Sequence, residues 1–220
     1  MDEWRFDSGR RCLDLMAEPP TSPERLARWL AAAGLVPPGT PLPGVDRHWV
    51  ERFGELRGHI ETLVRAELAP QAAQDGAPDR VPKAAPDHKP GRVPEAAPDP
   101  RRAPTAAALA RLNSLAAAAA PPAPRAVRAE DGRLVRVLDT PPDCGALLAL
   151  LARDAVELLT DPAARARLRQ CDGDHCARVY LDTSRGRRRR WCSSEVCGNR
   201  ERVARHRARA GRTREKSPRR

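Results

Sequence analysis

Apolar residues recur at helical spacing along most of the first 165 residues, which predicts a helical body. One helix is expected to begin after Ser22, whose hydroxyl can cap it ahead of Pro23, and to end at Gly34. A longer helix is predicted from Asp46 to about Leu68. Its apolar stripe is typical of a packed core rather than of a cofactor site. The stripe consists of Trp49, Phe53, Leu56, Ile60 and Leu63.

The rest of the body is predicted to be mainly helical with one small β-hairpin. The hairpin spans Arg125 to Leu138 and turns at Asp131-Gly132, a pair that favours a tight turn. Further helices are expected to begin at the capping residues Thr105, Asp143 and Asp161, and the last of them to end at Gln170. The body contains no glycine-rich phosphate loop, nucleophile elbow or paired-carboxylate pattern, so an enzyme is not expected.

A proline-rich segment from Pro70 to Pro104 interrupts the helical pattern. It holds nine prolines in 35 residues and almost no large apolar side chains. Arg80 to Asp87 recurs as Arg92 to Asp99 with a single change. Proline blocks helices and sheet ladders, and little here could offset the entropy of ordering. A disordered insertion is therefore predicted, which acts as a passive linker or, less commonly, as a proline-rich ligand for a partner.

Charge separates the chain into a mildly acidic part and a strongly basic part. The residues from Arg165 to Arg220 include 19 lysines and arginines against 6 acidic residues, a net charge of +13, whereas the first 164 residues carry −2. This asymmetry favours contact with a polyanion, and a solvated disordered tail is the plain alternative. The predicted domains are a helical domain at 1–69 and 105–165, the insertion at 70–104, a finger at 166–210 and a disordered basic tail at 211–220.

Four of the six cysteines form two close pairs. Four residues separate Cys171 from Cys176 and Cys192 from Cys197, and fifteen residues separate the pairs. This spacing predicts a tetrahedral zinc site whose four thiolates leave no position for water, so the site would be structural rather than catalytic. Two disulfides, or an iron–sulfur cluster, could use the same cysteines.

The remaining candidate ligands are weaker. His175 adjoins Cys176 and could replace one thiolate, although such a histidine more often lies outside the ligand set. Cys12 and Cys144 have no partner at metal-ligand spacing. Both are expected to be buried, unreactive thiols.

A short hairpin and a helix are predicted around the cysteines, which is a treble-clef-like order. The elements are a strand at Arg178–Asp182, a turn at Thr183–Gly186, a returning strand at Arg187–Trp191 and a helix at Ser193–Ala210. Tyr180 and Trp191 are expected to form a small core, and Asp182 to pair with Arg185 or Arg200. A module of this size cannot bury enough surface by itself, so the metal should supply much of its folding energy.

Several motifs around the cysteines closely resemble the CGNR zinc-finger family. They are Leu181-Asp182-Thr183-Ser184-Arg185, Arg190-Trp191-Cys192-Ser193 and Cys197-Gly198-Asn199-Arg200. The body resembles the ABATE domain that accompanies this finger, through Cys12-Leu13-Asp14-Leu15, the Leu26–Leu35 helix and the approach to Cys171. Where that family continues with Val-Asn-Thr, this chain has Met16-Ala17-Glu18, so no role of the asparagine is carried over. The resemblance implies a bacterial transcription regulator with zinc on the four cysteines.

The finger contains many arginines, whose positions suggest how it would bind DNA. One group follows the predicted second strand and consists of Arg187, Arg188, Arg189 and Arg190. A second group decorates the last helix and consists of Arg200, Arg202, Arg205, Arg207 and Arg209. The guanidinium group forms forked hydrogen bonds with phosphates and with guanine edges. Such a cluster on a metal-stabilised module favours nucleic acid as the partner, with DNA ahead of RNA.

The sequence therefore predicts a cytoplasmic, zinc-binding transcription regulator that binds DNA through its basic finger. The alternative is an adaptor that uses the same finger to bind RNA or a protein partner. The helical body is expected to sense a small ligand or to form homodimer contacts. No apolar run reaches the roughly 18 residues of a membrane span and no secretory signal opens the chain, so no membrane association is expected.

Overall fold

A computed structural model of the protein describes residues 4–75 and 102–215. The helices are α1 (Arg11–Ala17), α2 (Pro23–Ala32), α3 (Arg47–Asp75), α4 (Arg102–Ala118), α5 (Cys144–Thr160), α6 (Pro162–Arg165) and α7 (Cys197–Glu215). The strands are β1 (Pro124–Arg128), β2 (Leu134–Leu138), β3 (Leu168–Gln170) and β4 (Val179–Leu181). The mainly α fold class with a small hairpin is confirmed.

The predicted caps account for the starts of α2, α5 and α6. The Ser22 hydroxyl accepts a hydrogen bond from the Arg25 backbone N–H, and the Asp143 carboxylate accepts one from that of Ala146. After α2 the chain turns at Gly34, whose φ of +71° is readily available only to glycine. Asp161 caps α6 by accepting from the Ala163 N–H. Because the first N–H groups of a helix have no partner within it, these bonds fix where each helix begins.

Three predicted helix limits in the body are wrong. Helix α4 begins at Arg102 rather than after Thr105, and α3 extends to Asp75, so both helices enter the ends of the proline-rich segment. The duplicated part of that segment lies in residues 76–101, outside the described residues. The short helix after Asp161 ends at Arg165 instead of Gln170. The chain then forms β3 because its backbone pairs with β4, which no local pattern indicates.

The core of the body surrounds α5. This helix packs against α1, α3 and α4, and its fully buried leucines are Leu147, Leu148, Leu151 and Leu158. The stripe predicted on α3 faces the same core, where Phe53, Leu56 and Ile60 are almost completely buried. The hairpin of β1 and β2 lies at the surface, and it turns at Gly132 with a φ of +82°, as predicted.

The finger is joined to the body through β3 and β4. The two strands pair antiparallel, with Leu168 opposite Leu181 and Gln170 opposite Val179. Leu168 and Val179 are fully buried in the core of the body, and the Leu181 N–H donates to the Ser8 carbonyl. The predicted pairing of Arg178–Asp182 with Arg187–Trp191 is therefore wrong. Since alternate residues of a strand face opposite sides, Tyr180 faces away from the body and towards the cysteines.

In the described ranges, no helix is both long and apolar enough to cross a membrane.

Candidate metal centre and basic surface

The four paired cysteines come together in one cluster, called here the cysteine cluster: Cys171, Cys176, Cys192 and Cys197. Their sulfur atoms all lie within 4.8 Å of one another, and three of the four side chains are buried. The Cys192 sulfur is 3.8 Å from that of Cys176 and 3.6 Å from that of Cys197. Four sulfurs at about 2.3 Å from one tetrahedral ion would be about 3.8 Å apart, so the spacing fits a single zinc-sized ion.

The backbone around the cluster explains this geometry. Cys171 follows β3, and the chain turns sharply so that the Cys176 N–H donates to the Gly173 carbonyl at 3.0 Å. A Cβ added at Gly173 would lie 3.3 Å from the Cys197 Cβ and 3.5 Å from the Cys171 sulfur, so a larger residue would require these cysteines to shift slightly. Cys197 is the first residue of α7, which places its sulfur at a helix N-terminus, where the helix dipole favours negative charge.

The pKa values of the cluster thiols indicate that a bound cation would stabilise their thiolate forms. Burial and the neighbouring thiols raise the pKa of Cys192, and burial likewise raises the pKa of Cys197. At Cys176, hydrogen bonds from the Arg178 N–H and the neighbouring thiols outweigh the effect of burial and lower the pKa. Backbone N–H groups of Gly173 and Cys192 donate to the Cys171 sulfur. Four buried thiolates repel one another, so an ion of charge +2 would stabilise them together.

The other candidate ligands lie outside the cluster. All six cysteines are free, and the closest sulfurs are well beyond the roughly 2.05 Å of a disulfide bond. His175 is exposed and does not join the four sulfurs. Cys12 is fully buried, which raises its pKa, and partial burial raises the pKa of Cys144 to about 11. Cys12 is therefore buried as predicted, whereas Cys144 is only half-buried, and the raised pKa of both thiols favours the protonated form.

Aromatic side chains form the wall of the cluster. Tyr180 is fully buried and Trp191 is half-buried, and both pack against the cysteines as predicted. The Tyr180 hydroxyl donates to the Arg189 carbonyl. Gly198 lets α7 approach closely, because an added Cβ there would lie 3.4 Å from the Trp191 ring. The small core of the finger therefore consists of two aromatic rings and four sulfurs.

Asp182 organises the loop that follows β4, though not by the predicted ion pair with Arg185 or Arg200. Its carboxylate is almost completely buried and accepts the backbone N–H groups of Ser184 at 2.9 Å and Arg189 at 3.1 Å. These bonds outweigh the effect of burial and hold the pKa of the carboxyl below its ordinary value. The segment Arg187–Trp191 is thus fixed by side-chain contacts rather than by a strand ladder.

The four consecutive arginines are not equivalent. Arg187 and Arg188 are exposed, whereas the Arg189 guanidinium lies 4.6 Å from the Tyr180 ring centroid and donates to the carbonyls of Trp191 and Cys192. Arg190 is exposed but pairs with Asp172 at 2.9 Å. The predicted alternation of these residues across a strand is wrong, since the described chain forms no strand here. The Arg189 side chain therefore makes contacts within the finger and is not directed towards a binding partner.

The arginines of α7 divide between two faces. The helix begins at Cys197, later than the predicted start at Ser193, because Ser193 to Val196 form a turn in which the Ser193 hydroxyl accepts the Val196 N–H. Arg202 donates to the carbonyls of Gly198 and Ser194, and the Arg205 guanidinium lies 5.8 Å from the Trp191 ring.

Arg200 and Arg207 lie on the other face of α7. They are seven residues apart, which is nearly two full turns, and so they share one side of the helix with the exposed Val203. Both are exposed, and the described residues give neither of them an acidic partner. The side chain of Arg209 lies outside the described residues. The face that carries Arg200 and Arg207 is called here the outer face of α7.

Arg178 joins the finger to the body through ion pairs that its predicted place in a strand does not indicate. Its side chain is 6% exposed and pairs with Asp7 at 3.2 Å and with Glu18. It also donates to the Arg5 carbonyl at 3.0 Å. Glu18 belongs to the Met16-Ala17-Glu18 segment that departs from the family pattern. In the sequence, the only indication of this buried ion pair is the position of Arg178 between Cys176 and an apolar strand.

Comparison with known families agrees with the resemblance of the motifs. The model of the ABATE family, described as "Putative stress-induced transcription regulator", matches residues 9–162. The model of the CGNR zinc finger matches residues 167–210. The second match contains the whole cysteine cluster, and the first contains the helical core around α5. No curated protein matches the chain.

Proposed function

We propose, from the premise that this chain belongs to the ABATE family and carries a CGNR zinc finger, that it is a transcription regulator. In this proposal one zinc ion is held by the cysteine cluster, and the basic surface of the finger binds duplex DNA. The observation that carries it is a pair of exposed arginines, Arg200 and Arg207, to which the described residues give no acidic partner, on the outer face of a helix whose first residue is a cluster cysteine.

Zinc is the ion that the ligand set favours. Thiolate sulfur is a soft donor, and four such ligands in a closed tetrahedron are typical of structural zinc. The ion would fix the start of α7 to the turn at Gly173 and to the loop before Cys192. It would have no open position for a substrate, so its contribution would be to folding and to the orientation of α7.

Duplex DNA is the partner that the charge and shape favour. Arg187 and Arg188 follow the loop fixed by Asp182, while Arg200 and Arg207 extend along α7. Arginine side chains on a rigid helix can contact phosphates, and one inside the major groove can also read a base edge. Four phosphate contacts would give a log–log slope of affinity against salt of about −3.6.

The test is fluorescence anisotropy of the full-length, zinc-loaded protein with a 30-base-pair duplex and with single-stranded RNA of equal length. The duplex is expected to bind more tightly, with an affinity that falls steeply as salt rises. Replacing both Arg200 and Arg207 by Ala should flatten the slope by about 1.8, since each lost phosphate contact removes about 0.9. The matched control replaces Arg125 and Arg128, two exposed arginines of β1, by Ala.

The outcomes separate the proposal from its alternative. Equal losses in the α7 variant and in the β1 control would mean that net charge alone drives binding. Tighter binding of RNA than of the duplex would favour the adaptor function. An intact, zinc-loaded protein without salt-dependent duplex binding at low ionic strength would exclude the DNA-binding function.

A further inference from the structure

An open cavity of about 880 Å³ lies in the helical body, and none of its lining residues belongs to the finger. One wall is formed by Val36 and the loop Pro37–Pro41, which follow α2. The opposite wall is formed by Val135–Leu138 of β2. Its volume lies within the roughly 300–1,000 Å³ that is usual for sites of small organic molecules.

The walls of the cavity are apolar and stiff. Val36 is 2% exposed and is part of the core, and Leu138 of β2 is half-buried and packs against the same core. The loop opposite β2 contains Pro37, Pro38 and Pro41, whose rings restrict the backbone. A ligand that entered would bury apolar surface at a small cost in ordering the protein.

A single cation interrupts this apolar lining. Of the residues that line the cavity, Arg136 alone is ionisable, and Thr40 and Thr140 contribute the only side-chain hydroxyls. One nitrogen of the Arg136 guanidinium donates to the Gly34 carbonyl at 3.2 Å, which ties the side chain to the end of α2. Within the described residues Arg136 has no carboxylate partner. Its remaining N–H groups can therefore donate to an anionic ligand.

We propose that this cavity is a binding site for a small organic acid with an apolar body, such as a medium-chain or aromatic carboxylate. The apolar part would lie against Val36 and Leu138, and the carboxylate would accept hydrogen bonds from Arg136, which shares one face of β2 with Leu138. A neutral apolar molecule would fill the same space without using the cation. The proposal goes beyond the regulatory function above and does not depend on DNA binding.

The experiment uses 8-anilinonaphthalene-1-sulfonate, a fluorescent aromatic anion, with the full-length zinc-loaded protein. Its fluorescence is expected to rise saturably, and octanoate is expected to displace it at a lower concentration than octanol, which has the same chain length and no charge. Arg136→Gln should weaken octanoate binding about tenfold and leave octanol binding unchanged, because only the carboxylate uses the charged hydrogen-bond donor that the variant loses. Amide chemical shifts should locate octanoate at Val135–Leu138.

The control is Arg128→Gln. Arg128 lies in the same hairpin, is exposed, and also donates to a glycine carbonyl, that of Gly132 at 2.9 Å, but it does not line the cavity. This variant should bind octanoate like the unaltered protein. Equal displacement by octanoate and octanol, equal effects of the two variants, or octanoate-dependent shifts confined to residues outside the cavity would each overturn the proposal. Unchanged melting of both variants would show that folding is not the cause.

Discussion

The helical body and the cysteine cluster are stabilised by different means, although strand β4 contributes side chains to both. Around α5 the core contains a continuous set of fully buried leucines and other apolar side chains, which exclude water without any ligand. The finger has a second, separate core of four cysteines with Tyr180 and Trp191. Apolar burial can maintain the first core, whereas the second has too few apolar groups and needs an ion. One chain thus combines a domain that folds through packing with a module that folds through coordination.

The largest expected effect is the response of the finger to removal of its metal. Chelation at neutral pH is expected to unfold α7 and the loop before it, since structural zinc contributes apparent free energies of about 10–16 kcal/mol in small finger peptides. Far-ultraviolet circular dichroism should lose the signal of one helix while the body still melts cooperatively. Titration with a thiol reagent should detect the four cluster cysteines only after chelation.

Cys144→Ser provides the matched control for this prediction. Its thiol lies outside the cluster, so zinc content and helicity should match those of the unaltered protein. Cys192→Ser should reproduce the effect of chelation. Retention of α7 helicity after complete removal of the metal would show that the finger is stabilised by packing, as the body is.

The next effect in size concerns the core of the body. Leu151→Ala is expected to lower the free energy of unfolding by about 2–5 kcal/mol, because it leaves a cavity beside α5. Chemical denaturation should show this loss, while zinc content stays at its original value. Leu134→Ala, at a position 68% exposed, should change stability by less than about 0.5 kcal/mol. Loss of zinc from the Leu151 variant under native conditions would mean that the two cores do not fold by separate means.

The smallest predicted effect concerns the buried arginine between the two regions. Arg178→Met should lower stability by about 1–3 kcal/mol, which is less than the loss of a fully buried ion pair, because Asp7 and Glu18 are partly exposed. Calorimetry should then resolve the melting of the finger from that of the body. Arg65→Met removes an exposed pair with Glu61 and should leave a single transition. A single transition in both variants would mean that Arg178 does not couple the regions.

Sequence patterns over a few residues predicted the helices and the cysteine cluster. They did not predict strand β3, which depends on pairing with a distant segment. Ser22, Asp143 and Gly34 act through neighbours a few residues away, so their roles can be read from the sequence. The spacing of the cysteines likewise brings their sulfurs together. In contrast, β3 is a three-residue strand that forms because Val179–Leu181 lies beside it, and no periodicity can appear over three residues.

The roles of the arginines were the least predictable part of the site. All four residues from Arg187 to Arg190 have the same side chain, yet Arg189 is packed on Tyr180 and Arg187 is exposed. The difference arises because Asp182 accepts the Arg189 N–H and turns that residue inward. The sequence of four identical residues does not indicate which of them will be buried in the fold. The division of α7 into two faces similarly depends on where Trp191 lies.

Strand β4 connects the finger to the body, so a small rotation of the strand would produce a larger displacement at the end of α7. Val179 and Leu181 contact the body while Tyr180 contacts the finger, so the strand is a stiff pivot rather than a flexible joint. Helix α7 has 19 residues and extends about 28 Å from the cysteine cluster. A tilt of the strand by about 10° would move the far end of the helix by about 5 Å. Helix α1 contacts β4 and helix α3 contacts β3, so a small shift of either helix would be amplified at the far end of α7.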